Sequence, residues 1–493
     1  MRWEHVLDAV QRRQWRGVRL TGITEDTRRL VPGMVFVARQ GSAVDGHAFL
    51  AEARARGAAF TVGERAAAGD RPDARVPDAA RALALLVSLW HGHPARGLTL
   101  VAITGTNGKS TVAHLLATIL RAAGIRAAHT GTLGYRFEGD TTPPTHTTPP
   151  AETLYPLLRR WKDAGATHVV MEVSAQALTQ ARVAACRFEA AAVTNFSRDH
   201  GEFYQDAAAY RAAKATLFRD LTTGVAVWPE DEPACAPFAA AAASAGLRPV
   251  TFGAEGDVRG DIVGSADMGG SVIRLTLAAH GAFSLPLPFP GRHNLRNAMC
   301  AAALALGLGV PAEAIALGLR HAEPIPGRGV LLRSDRGVTV VVDYAHNPVA
   351  LRAVLAMARA GTAGRLLAVL GPRGDRDRGK RPLMGAILAA FADTAILTSD
   401  HPGSEDAAEA ARPMLAAARD CGLDTTFVPN RAEAIAAAAA RARPGDCLVI
   451  TGKGSEPWSD DDGGWPGSTD VAVVLECLRQ PAEAPAAAVA RRA

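Results

Sequence analysis

The stretch Val101–Thr111, VAITGTNGKST, sets the interpretation of this chain. Val101 and Ile103 predict a buried strand, Gly105 and Gly108 predict a turn, and the apolar period of the next residues predicts a helix. A strand, a glycine turn and a helix in that order aim backbone N–H groups and the positive end of the helix dipole at an anion. The stretch therefore predicts a phosphate loop, with a nucleoside triphosphate as ligand.

Two side chains at the start of the helix strengthen this prediction. Lys109 would add a point charge, and the Ser110 hydroxyl is free to ligate Mg²⁺. Ile103 stands where the standard pattern has glycine, so a purely structural turn is the alternative. Lysine usage favours the phosphate loop, because a chain rich in arginine is expected to keep lysine where a compact or deprotonatable ammonium is required. Among 54 Lys and Arg residues, lysine occurs only at Lys109, Lys162, Lys214, Lys380 and Lys453.

Length and composition limit the possible classes of protein. The 493 residues suggest about three domains, and 48% of them are hydrophobic. The net charge of +5 is small and no lysine-rich run occurs, so we expect no nucleic acid partner. The N-terminus does not resemble a signal peptide, and the longest apolar run, 298–308, is too short for a membrane span. Six scattered cysteines predict reduced core residues, so we expect a cytoplasmic enzyme with small-molecule substrates.

Alternating strand and helix patterns predict an α/β fold throughout, divided into domains. Residues 1–97 predict a small N-terminal α/β domain. Residues 98–326 predict a central domain with a parallel sheet and the phosphate loop. Residues 327–480 predict a Rossmann-like, doubly wound domain, because four strands there each end in a loop rich in charge, Gly or Pro. Residues 481–493 predict a disordered tail.

The sequence pattern does not decide whether two charged residues of the central domain, Glu172 and Lys214, are functional or simply lie at the surface. Glu172 ends the predicted strand 168–174, where ligands of open sheets bind, so it is a candidate Mg²⁺ ligand; a surface acid is the alternative. Lys214 lies in the predicted helix 210–218 among alanines, where a solvated charge would be usual. The scarcity of lysine in this chain argues for a specific role.

Nine motifs, taken in order, resemble those of the Mur ligases, and most closely those of the MurE type. They are GTNGKST, TTP, MEVS, TNFSRDH, YRAAKATLF, GRHNLRN, VVDYAHNP, GDRDRGKRP and TGKGSE, and the resemblance runs from Asp26 to about Leu478. It implies a three-domain enzyme that phosphorylates a substrate carboxylate with ATP and lets an amine attack the acyl phosphate. For the MurE type, the acid is UDP-N-acetylmuramoyl-L-Ala-D-Glu and the amine becomes the third amino acid of the cell-wall precursor. We expect a monomer that uses ATP and Mg²⁺.

The resemblance also implies roles for individual residues. Lys109 and Ser110 would hold the β- and γ-phosphates and Mg²⁺, Glu172 and His200 would be metal ligands, and Lys214 would carry a carbamate that serves as an anionic ligand. The expected nucleotide contacts are Gly105, Thr106, Asn107, Gly108, Lys109, Ser110, Thr111, Asn294, Asn297, Arg328 and Asp343. The expected contacts to the nucleotide-sugar peptide are Thr27, Ser42, Thr147, Thr148, Ser174, Gln180 and Arg182. The expected pocket for the incoming amino acid is formed by Arg376, Asp400, Gly452 and Glu456.

Departures from the family pattern cluster around the substrates. Ala175 and Gln176 stand where the family has Ser-His, residues 228–231 read WPED in place of Asn-x-Asp-Asp, and Ser455 replaces a histidine. Enzymes that select meso-diaminopimelate have Asp-Asn-Pro-Arg where this chain has DHPG at 400–403. No arginine is available there to clamp a second carboxylate, which argues against that amine. Lysine, ornithine or another amine stays open, as does a MurE-like paralogue that joins a different acid and amine in a specialised pathway. A binding protein that has lost turnover is a third possibility.

Overall fold

The structure is a computed structural model, and it describes residues 1–41, 44–67, 69–265, 269–459 and 467–479. Three main sheets organise these residues, one for each of the predicted domains. Parallel strands dominate all three sheets. The α/β class predicted from the sequence is confirmed.

The first sheet belongs to a small N-terminal unit. Within the described residues its order is β3-β4-β5-β6, with every pair parallel. Helices α1 and α3 bury apolar side chains such as Val6 and Leu86 against it. The elements are α1 (Trp3–Arg12), β1 (Gln14–Trp15), β2 (Val18–Arg19), β3 (Gly22–Thr24), β4 (Met34–Val37), α2 (Leu50–Ala55), β5 (Phe60–Gly63), β6 (Ala74–Arg75) and α3 (Ala79–Trp90).

The central unit contains the largest sheet. Its elements are β7 (Thr99–Thr104), α4 (Lys109–Ala122), β8 (Ala127–Gly131), β9 (Gly134–Phe137), β10 (Asp140–Thr142), α5 (Ala151–Asp163), β11 (His168–Glu172), α6 (Ala175–Thr179), β12 (Phe188–Val193), α7 (Ala207–Thr216), β13 (Thr222–Pro229), α8 (Ala236–Ser244), β14 (Arg248–Phe252), β15 (Val258–Ser265), β16 (Ser271–Leu277), β17 (Gly281–Leu287), α9 (Arg292–Gly307) and α10 (Ala312–Arg320). The strand order is β10-β9-β8-β11-β7-β12-β13-β14-β15-β16-β17 in the described part of the chain.

Strand β7 lies near the middle of this sheet, between β11 and β12, and pairs in parallel with both. Apolar strands such as β7 are typical of parallel sheets that are covered on both faces. Helices α4 and α9 cover one face, and α5 packs on the other. Glu172 is in register with Ile103, and Val193 with Thr104, so three strand ends meet at the phosphate loop. The antiparallel extension β15-β16-β17 was not predicted.

The third sheet forms the C-terminal unit. Its order among the described residues is β18-β19-β23-β20-β21-β22, and only the β18–β19 pair is antiparallel there. Helices α11, α12 and α13 pack on one face and α14 and α15 on the other, which confirms a doubly wound sheet. The elements are β18 (Val330–Arg333), β19 (Thr339–Asp343), α11 (Pro348–Ala360), β20 (Leu366–Leu370), α12 (Lys380–Phe391), β21 (Thr394–Leu397), α13 (Ala407–Asp420), β22 (Asp424–Phe427), α14 (Arg431–Arg441), β23 (Cys447–Thr451) and α15 (Asp470–Arg479).

The cysteine prediction is partly wrong. Cys186, Cys235, Cys300 and Cys447 are buried and reduced, as expected. Cys421 is exposed, because it lies just after the last turn of α13. Its apolar neighbours Ala418 and Leu423 are buried in the core, whereas Cys421 is not. Within the described ranges, no helix is both long and apolar enough to cross a membrane. The predicted tail, 481–493, lies outside the described residues.

Burial of Trp161 on α5 gives a test of the central core. Its side chain is 1% exposed and packs among the residues of the core that α5 shares with the N-terminal unit. We expect Trp161→Ala to lower the free energy of unfolding by about 3–5 kcal/mol, because it removes buried apolar area and leaves a cavity. Chemical denaturation or calorimetry measures this change. Leu317→Ala, at a side chain that is 45% exposed, is the matched control and should cost less than about 0.5 kcal/mol. Equal effects of the two variants would contradict this packing.

Candidate active site

The turn between β7 and α4, residues 105–108, has the backbone shape of a phosphate loop. Gly105 has φ +137° and Gly108 has φ +83°, values that favour glycine. A Cβ atom at Gly105 would lie 2.0 Å from Thr194 Oγ1, and one at Gly108 would lie 2.2 Å from Asn297 Oδ1. Asn195 fixes the turn from the end of β12, since its side-chain oxygen accepts the backbone N–H of Asn107 at 3.0 Å. Both glycines are therefore required by this close packing.

Two lysine ammonium groups meet beneath this turn. Lys109 Nζ donates to the carbonyl oxygens of Gly105 and Thr106, both at 3.0 Å, and Lys214 Nζ donates to Gly105 O, also at 3.0 Å. Lys214 is 1% exposed, so the interpretation of this lysine as a solvated surface charge on an alanine-rich helix is wrong. Burial holds the pKa of Lys214 well below its usual value, and the charge of Lys109 adds to this effect. Burial also lowers the pKa of Lys109.

Glu172 lies next to the phosphate loop and is fully buried. One carboxylate oxygen accepts the Ser110 hydroxyl at 3.0 Å, and the other accepts the backbone N–H of Thr132 at 2.9 Å. The alternative reading of Glu172 as a surface acid is wrong. Burial raises its pKa, while Lys109 and Arg328 oppose the rise. Arg328 Nη2 lies 3.4 Å from Ser110 Oγ, so the hydroxyl stands between an anion and a cation.

A second charged pair, which the sequence analysis did not assign, joins the central and C-terminal units. The buried Asp199 carboxylate lies 3.5 Å from Lys380 Nζ and accepts from Asn347 Nδ2 at 3.2 Å. Burial opposes ionisation of Asp199, but Lys380 and neighbouring histidines outweigh it and hold the pKa below its usual range. His200 follows with φ +58° and its ring nitrogen lies 3.3 Å from Glu202. The scarcity of lysine was the signal that could have assigned Lys380.

Most of these groups, though not Lys214, line a cavity of 260 Å³, here called the smaller cavity. It lies between the central and C-terminal units and collects many of the residues assigned by resemblance, together with the departures Ala175 and Gln176. Its lining includes Thr106, Asn107, Gly108, Lys109, Ser110, Thr147, Glu172, Ser174, Ala175, Gln176, Arg182, Asp199, His200, Arg328, Arg373, Arg376 and Lys380. The site therefore combines phosphate-loop donors, a buried carboxylate and several cations.

An adjoining cavity of 370 Å³, the larger cavity, is lined by further predicted nucleotide contacts, whereas Gly105 lines neither cavity. Its lining includes Asn107, Gly108, Thr111, His293, Asn294, Asn297, Arg328, Asp343 and Tyr344. Asn297 donates to Asn294 Oδ1 at 3.1 Å, which confirms that the two asparagines share one helix face. Burial raises the pKa of Asp343, whose oxygens accept backbone N–H groups of Gly329 and Ala345. Arg328 lines both cavities.

The residues assigned to the nucleotide-sugar peptide are only partly brought together. Arg182 donates to Thr148 O and to Gln180 Oε1, both at 2.7 Å, and Ser174 N donates to Thr148 Oγ1 at 3.0 Å. Thr148 is fully buried, so its hydroxyl positions backbone by donating to the carbonyl oxygen of Glu172. Thr147 faces the smaller cavity.

Two further residues with that assignment belong to the N-terminal unit. Thr27 is buried at the start of the short 3₁₀ turn Thr27–Arg29, whose N-cap is Asp26. Ser42 lies outside the described residues.

The residues assigned to the incoming amino acid follow three neighbouring strands of the C-terminal sheet. Arg376 follows β20 and faces the smaller cavity, where its Nη1 lies 3.2 Å from Glu202. Asp400 follows β21 and is fully buried. A Cβ atom at Gly452, after β23, would lie 2.6 Å from Asp400 Oδ2. Arg373, which the sequence analysis did not single out, contacts both Asp400 and Glu456.

This fold and site define a phosphate-loop enzyme of the ATP-dependent ligase class. The model of the Mur ligase middle domain matches residues 103–305, that of the Mur ligase glutamate ligase domain matches 327–454, and that of the Mur ligase family catalytic domain matches 19–91. The chain belongs to the Mur ligase family.

Similar proteins agree with this membership over most of the chain. The chain is 40% identical over 444 residues to a protein of Gloeobacter violaceus, with 89% of this chain and 90% of that one covered. It is 38% identical to a protein of Caulobacter vibrioides, with 93% and 95% covered. Both are named UDP-N-acetylmuramoyl-L-alanyl-D-glutamate–2,6-diaminopimelate ligase. A solved structure described by the same name aligns with a TM-score of 0.66 and 30% identity over 94% of this chain and 96% of that one. MurF ligase from Thermotoga maritima with ADP, at 19% identity, TM-score 0.64 and 92% and 96% covered, shows the shared fold.

The contact between Gly108 and Asn297 gives a test of the nucleotide pocket. We expect Gly108→Ala to weaken ATP binding about tenfold or more, because the added methyl group strains a positive φ and pushes against Asn297 Oδ1. Isothermal titration calorimetry with ATP measures the change. Gly246→Ala is the matched control, since Gly246 has φ +68° and open space around its Cβ position. Unchanged ATP affinity in Gly108→Ala would contradict this packing.

Proposed function

We propose that this chain phosphorylates the free carboxylate of UDP-N-acetylmuramoyl-L-Ala-D-Glu with ATP and couples it to an amino acid, as the third residue of the peptidoglycan precursor. One observation carries the proposal: the phosphate loop, residues of the 147–182 region and residues at the edge of the C-terminal sheet all line the smaller cavity. The names of the relatives support the acid substrate.

Phosphoryl transfer depends on positioning and on neutralising charge. The backbone N–H groups of the phosphate loop and Lys109 would hold the β- and γ-phosphates. Asn294, Asn297 and Asp343 line the larger cavity, where the adenosine part would lie. Arg328 reaches both cavities, so its guanidinium can offset charge where the γ-phosphoryl group leaves ATP. Transfer to the substrate carboxylate would give an acyl phosphate and ADP.

The residues at the phosphate loop fit Mg²⁺ by donor type. Hydroxyl and carboxylate oxygens suit this ion, and Ser110 Oγ lies 3.0 Å from Glu172 in the smaller cavity, which His200 also lines. Within the described residues, no three His, Cys, Asp or Glu side chains gather as a metal site. Mg²⁺, when bound, would neutralise phosphate charge. Ser110, Glu172 and His200 would hold it, together with a carbamate on Lys214.

A carbamate on Lys214 follows from its surroundings as well as from the resemblance. An amine must be neutral to attack CO₂, and the lowered pKa of the buried Lys214 favours that form. The amine nitrogen would bond to the carbon of CO₂ and lose a proton, which gives an anionic group. That anion would lie close to Lys109 and offset its positive charge. Arginine could not replace this lysine, because it keeps its proton.

The acid and the amine would enter from opposite sides of the smaller cavity. Thr147, Thr148, Ser174, Gln180 and Arg182 would contact or position the nucleotide-sugar peptide, and Thr27 would lie toward uridine. Arg376, Asp400, Gly452 and Glu456 would form the amino-acid pocket. The amine would attack the acyl carbon, the C–N bond would form and inorganic phosphate would leave. The loop 400–403 contains no arginine, so we propose an amine other than meso-diaminopimelate.

A second candidate is favoured by one specific observation. Ala175 and Gln176, which depart from the family pattern, both line the smaller cavity beside Ser174. A changed wall at this place fits a paralogue that joins a different acid and amine in a specialised pathway. We propose in either case a monomeric enzyme of the cytoplasm that acts on small molecules without nucleic acid or membrane partners. Its free cysteines, of which four are buried, and its modest net charge support this.

Phosphate release separates the two candidates. With ATP, Mg²⁺ and UDP-N-acetylmuramoyl-L-Ala-D-Glu, we expect release that depends on one amino acid of a panel, with the tripeptide product identified by mass spectrometry. Lys109→Met should abolish release, because the phosphates lose the cation beside them, and Lys162→Met should leave it unchanged. If protein that binds ATP releases no phosphate with any amino acid of the panel, the specialised ligase becomes the favoured candidate.

Labelled bicarbonate tests Lys214 without an activity assay. We expect ¹³C-bicarbonate to give a carbamate resonance in the NMR spectrum of the wild type and of Lys162→Ala, because their Lys214 is buried with a lowered pKa. Lys214→Ala should lack this resonance and lose ligation, and a short carboxylate such as acetate should restore part of the activity. Full activity of Lys214→Ala without added carboxylate would remove the residue from the mechanism.

A further inference from the structure

We propose that the guanidinium of Arg373 occupies the space between Asp400 and Glu456 where a side-chain ammonium of the incoming amino acid could otherwise bind. The incoming amino acid would therefore be one whose side chain carries no ammonium group. The inference rests on the proposed function, because it concerns the pocket assigned to the amine.

The contacts of Arg373 define this position. Its Nε lies 3.4 Å from Asp400 Oδ1, and its Nη2 donates to Glu456 Oε2. Nη1 lies 3.3 Å from the hydroxyl oxygen of Tyr344, and the guanidinium carbon lies 5.2 Å from the centre of that ring. Tyr344 in turn donates to Glu456 at 2.6 Å. One guanidinium therefore bridges the two acids of the pocket and is itself held by an aromatic ring.

Access to Asp400 depends on Arg373. Asp400 is fully buried, whereas the Arg373 side chain is 16% exposed and lines the smaller cavity. Asp400 Oδ2 lies beside Gly452, and Asp400 is not among the residues that line the smaller cavity. A ligand in the smaller cavity thus meets the guanidinium before it meets the carboxylate. An ammonium group could bind Asp400 only after Arg373 had moved.

The remaining charges around the pocket add to the same effect. Lys453 Nζ lies 3.5 Å from Asp400 Oδ1, and His401 Nδ1 lies 3.1 Å from the same oxygen. Glu405, nearby on the chain, accepts from Arg381 at 2.8 Å. Arg376 and Lys380 face the smaller cavity, where Glu202 and Asp199 are their respective partners. Each of these acids already has a basic side chain of the protein beside it. A side-chain ammonium of the incoming amino acid would therefore enter a region of like charge.

This charge arrangement predicts the class of amine. An α-amino acid with a neutral or acidic side chain adds no cation to the pocket, and its carboxylate can approach Arg376. An amino acid with a side-chain ammonium must displace the bridging guanidinium of Arg373. Otherwise its ammonium lies beside that guanidinium, and no carboxylate of the pocket is free to pair with it. Displacement would separate the Arg373 guanidinium from two carboxylates at once, and hydrogen bonds between charged groups are stronger than neutral ones, which makes it unfavourable.

Matched pairs of amines test this class in the wild-type protein. Norleucine differs from lysine, and 2-aminopimelate from meso-diaminopimelate, by one ammonium group. With ATP, Mg²⁺ and the nucleotide-sugar dipeptide, we expect kcat/KM to be about tenfold or more higher for the member of each pair that lacks the ammonium. Products are identified by mass spectrometry. Glutamate and alanine extend the panel, and turnover with either above that with lysine supports the proposal.

Variants of Arg373 assign the preference to its charge. Arg373→Met keeps most of the volume and removes the cation, so it should shift the preference by about tenfold toward the ammonium-bearing member of each pair. Arg373→Lys should keep the wild-type preference. Arg378→Ala, in the same loop and 76% exposed, is the matched control and should leave kcat/KM unchanged. Thermal melting checks that each variant folds, and the wild-type comparison stands without them.

The outcomes separate this inference from the proposed function. A wild-type preference for lysine or meso-diaminopimelate over its matched partner would overturn the inference and leave the ligase intact. The same selectivity in Arg373→Met as in the wild type would also overturn it. No phosphate release with any amine, from protein that binds ATP, would overturn the proposed function and this inference with it.

Discussion

Two lysine ammonium groups share one backbone carbonyl oxygen, that of Gly105, and the site is built around this arrangement. Like charges held together with little water repel each other, and burial lowers the pKa of both Lys109 and Lys214. Anions relieve this repulsion. A nucleotide phosphate at Lys109 and a carbamate on Lys214 are the two anions that the proposed chemistry would supply, so the resting structure is prepared for both.

The C-terminal unit completes the site that the central unit begins. Arg328 reaches Ser110, Lys380 reaches Asp199, and the amide of Asn347 donates to Asn107 Oδ1 at 2.8 Å. Each contact joins residues more than a hundred positions apart in the chain. The two cavities therefore lie at the carboxyl ends of parallel strands from both the central and the C-terminal sheet. Ligands of open α/β sheets bind at such strand ends.

Local sequence pattern predicted the parts of the fold that depend on neighbouring residues. The strands 366–370 and 394–397 and the phosphate loop were predicted because periodicity and glycine placement are local signals. The burial of Lys214 could not be predicted from its alanine-rich helix, because burial depends on what packs against that helix. The pairing of Asp199 with Lys380 and the bridging role of Arg373 depend on long-range packing, which no single motif displays. The antiparallel strands β15, β16 and β17 were not assigned from the sequence, although Gly269, Gly270 and Gly281 are turn signals beside them.

We expect the two lysines at Gly105 to act by binding or becoming anions, Lys109 with a phosphate and Lys214 as a carbamate. A crystal structure of the protein with ADP, Mg²⁺ and bicarbonate tests this expectation most directly. We expect a planar three-atom group bonded to Lys214 Nζ, with the β-phosphate of ADP on the phosphate loop beside Lys109. A bare ammonium at Lys214 that still donates to Gly105 O, with the nucleotide bound elsewhere, would contradict it.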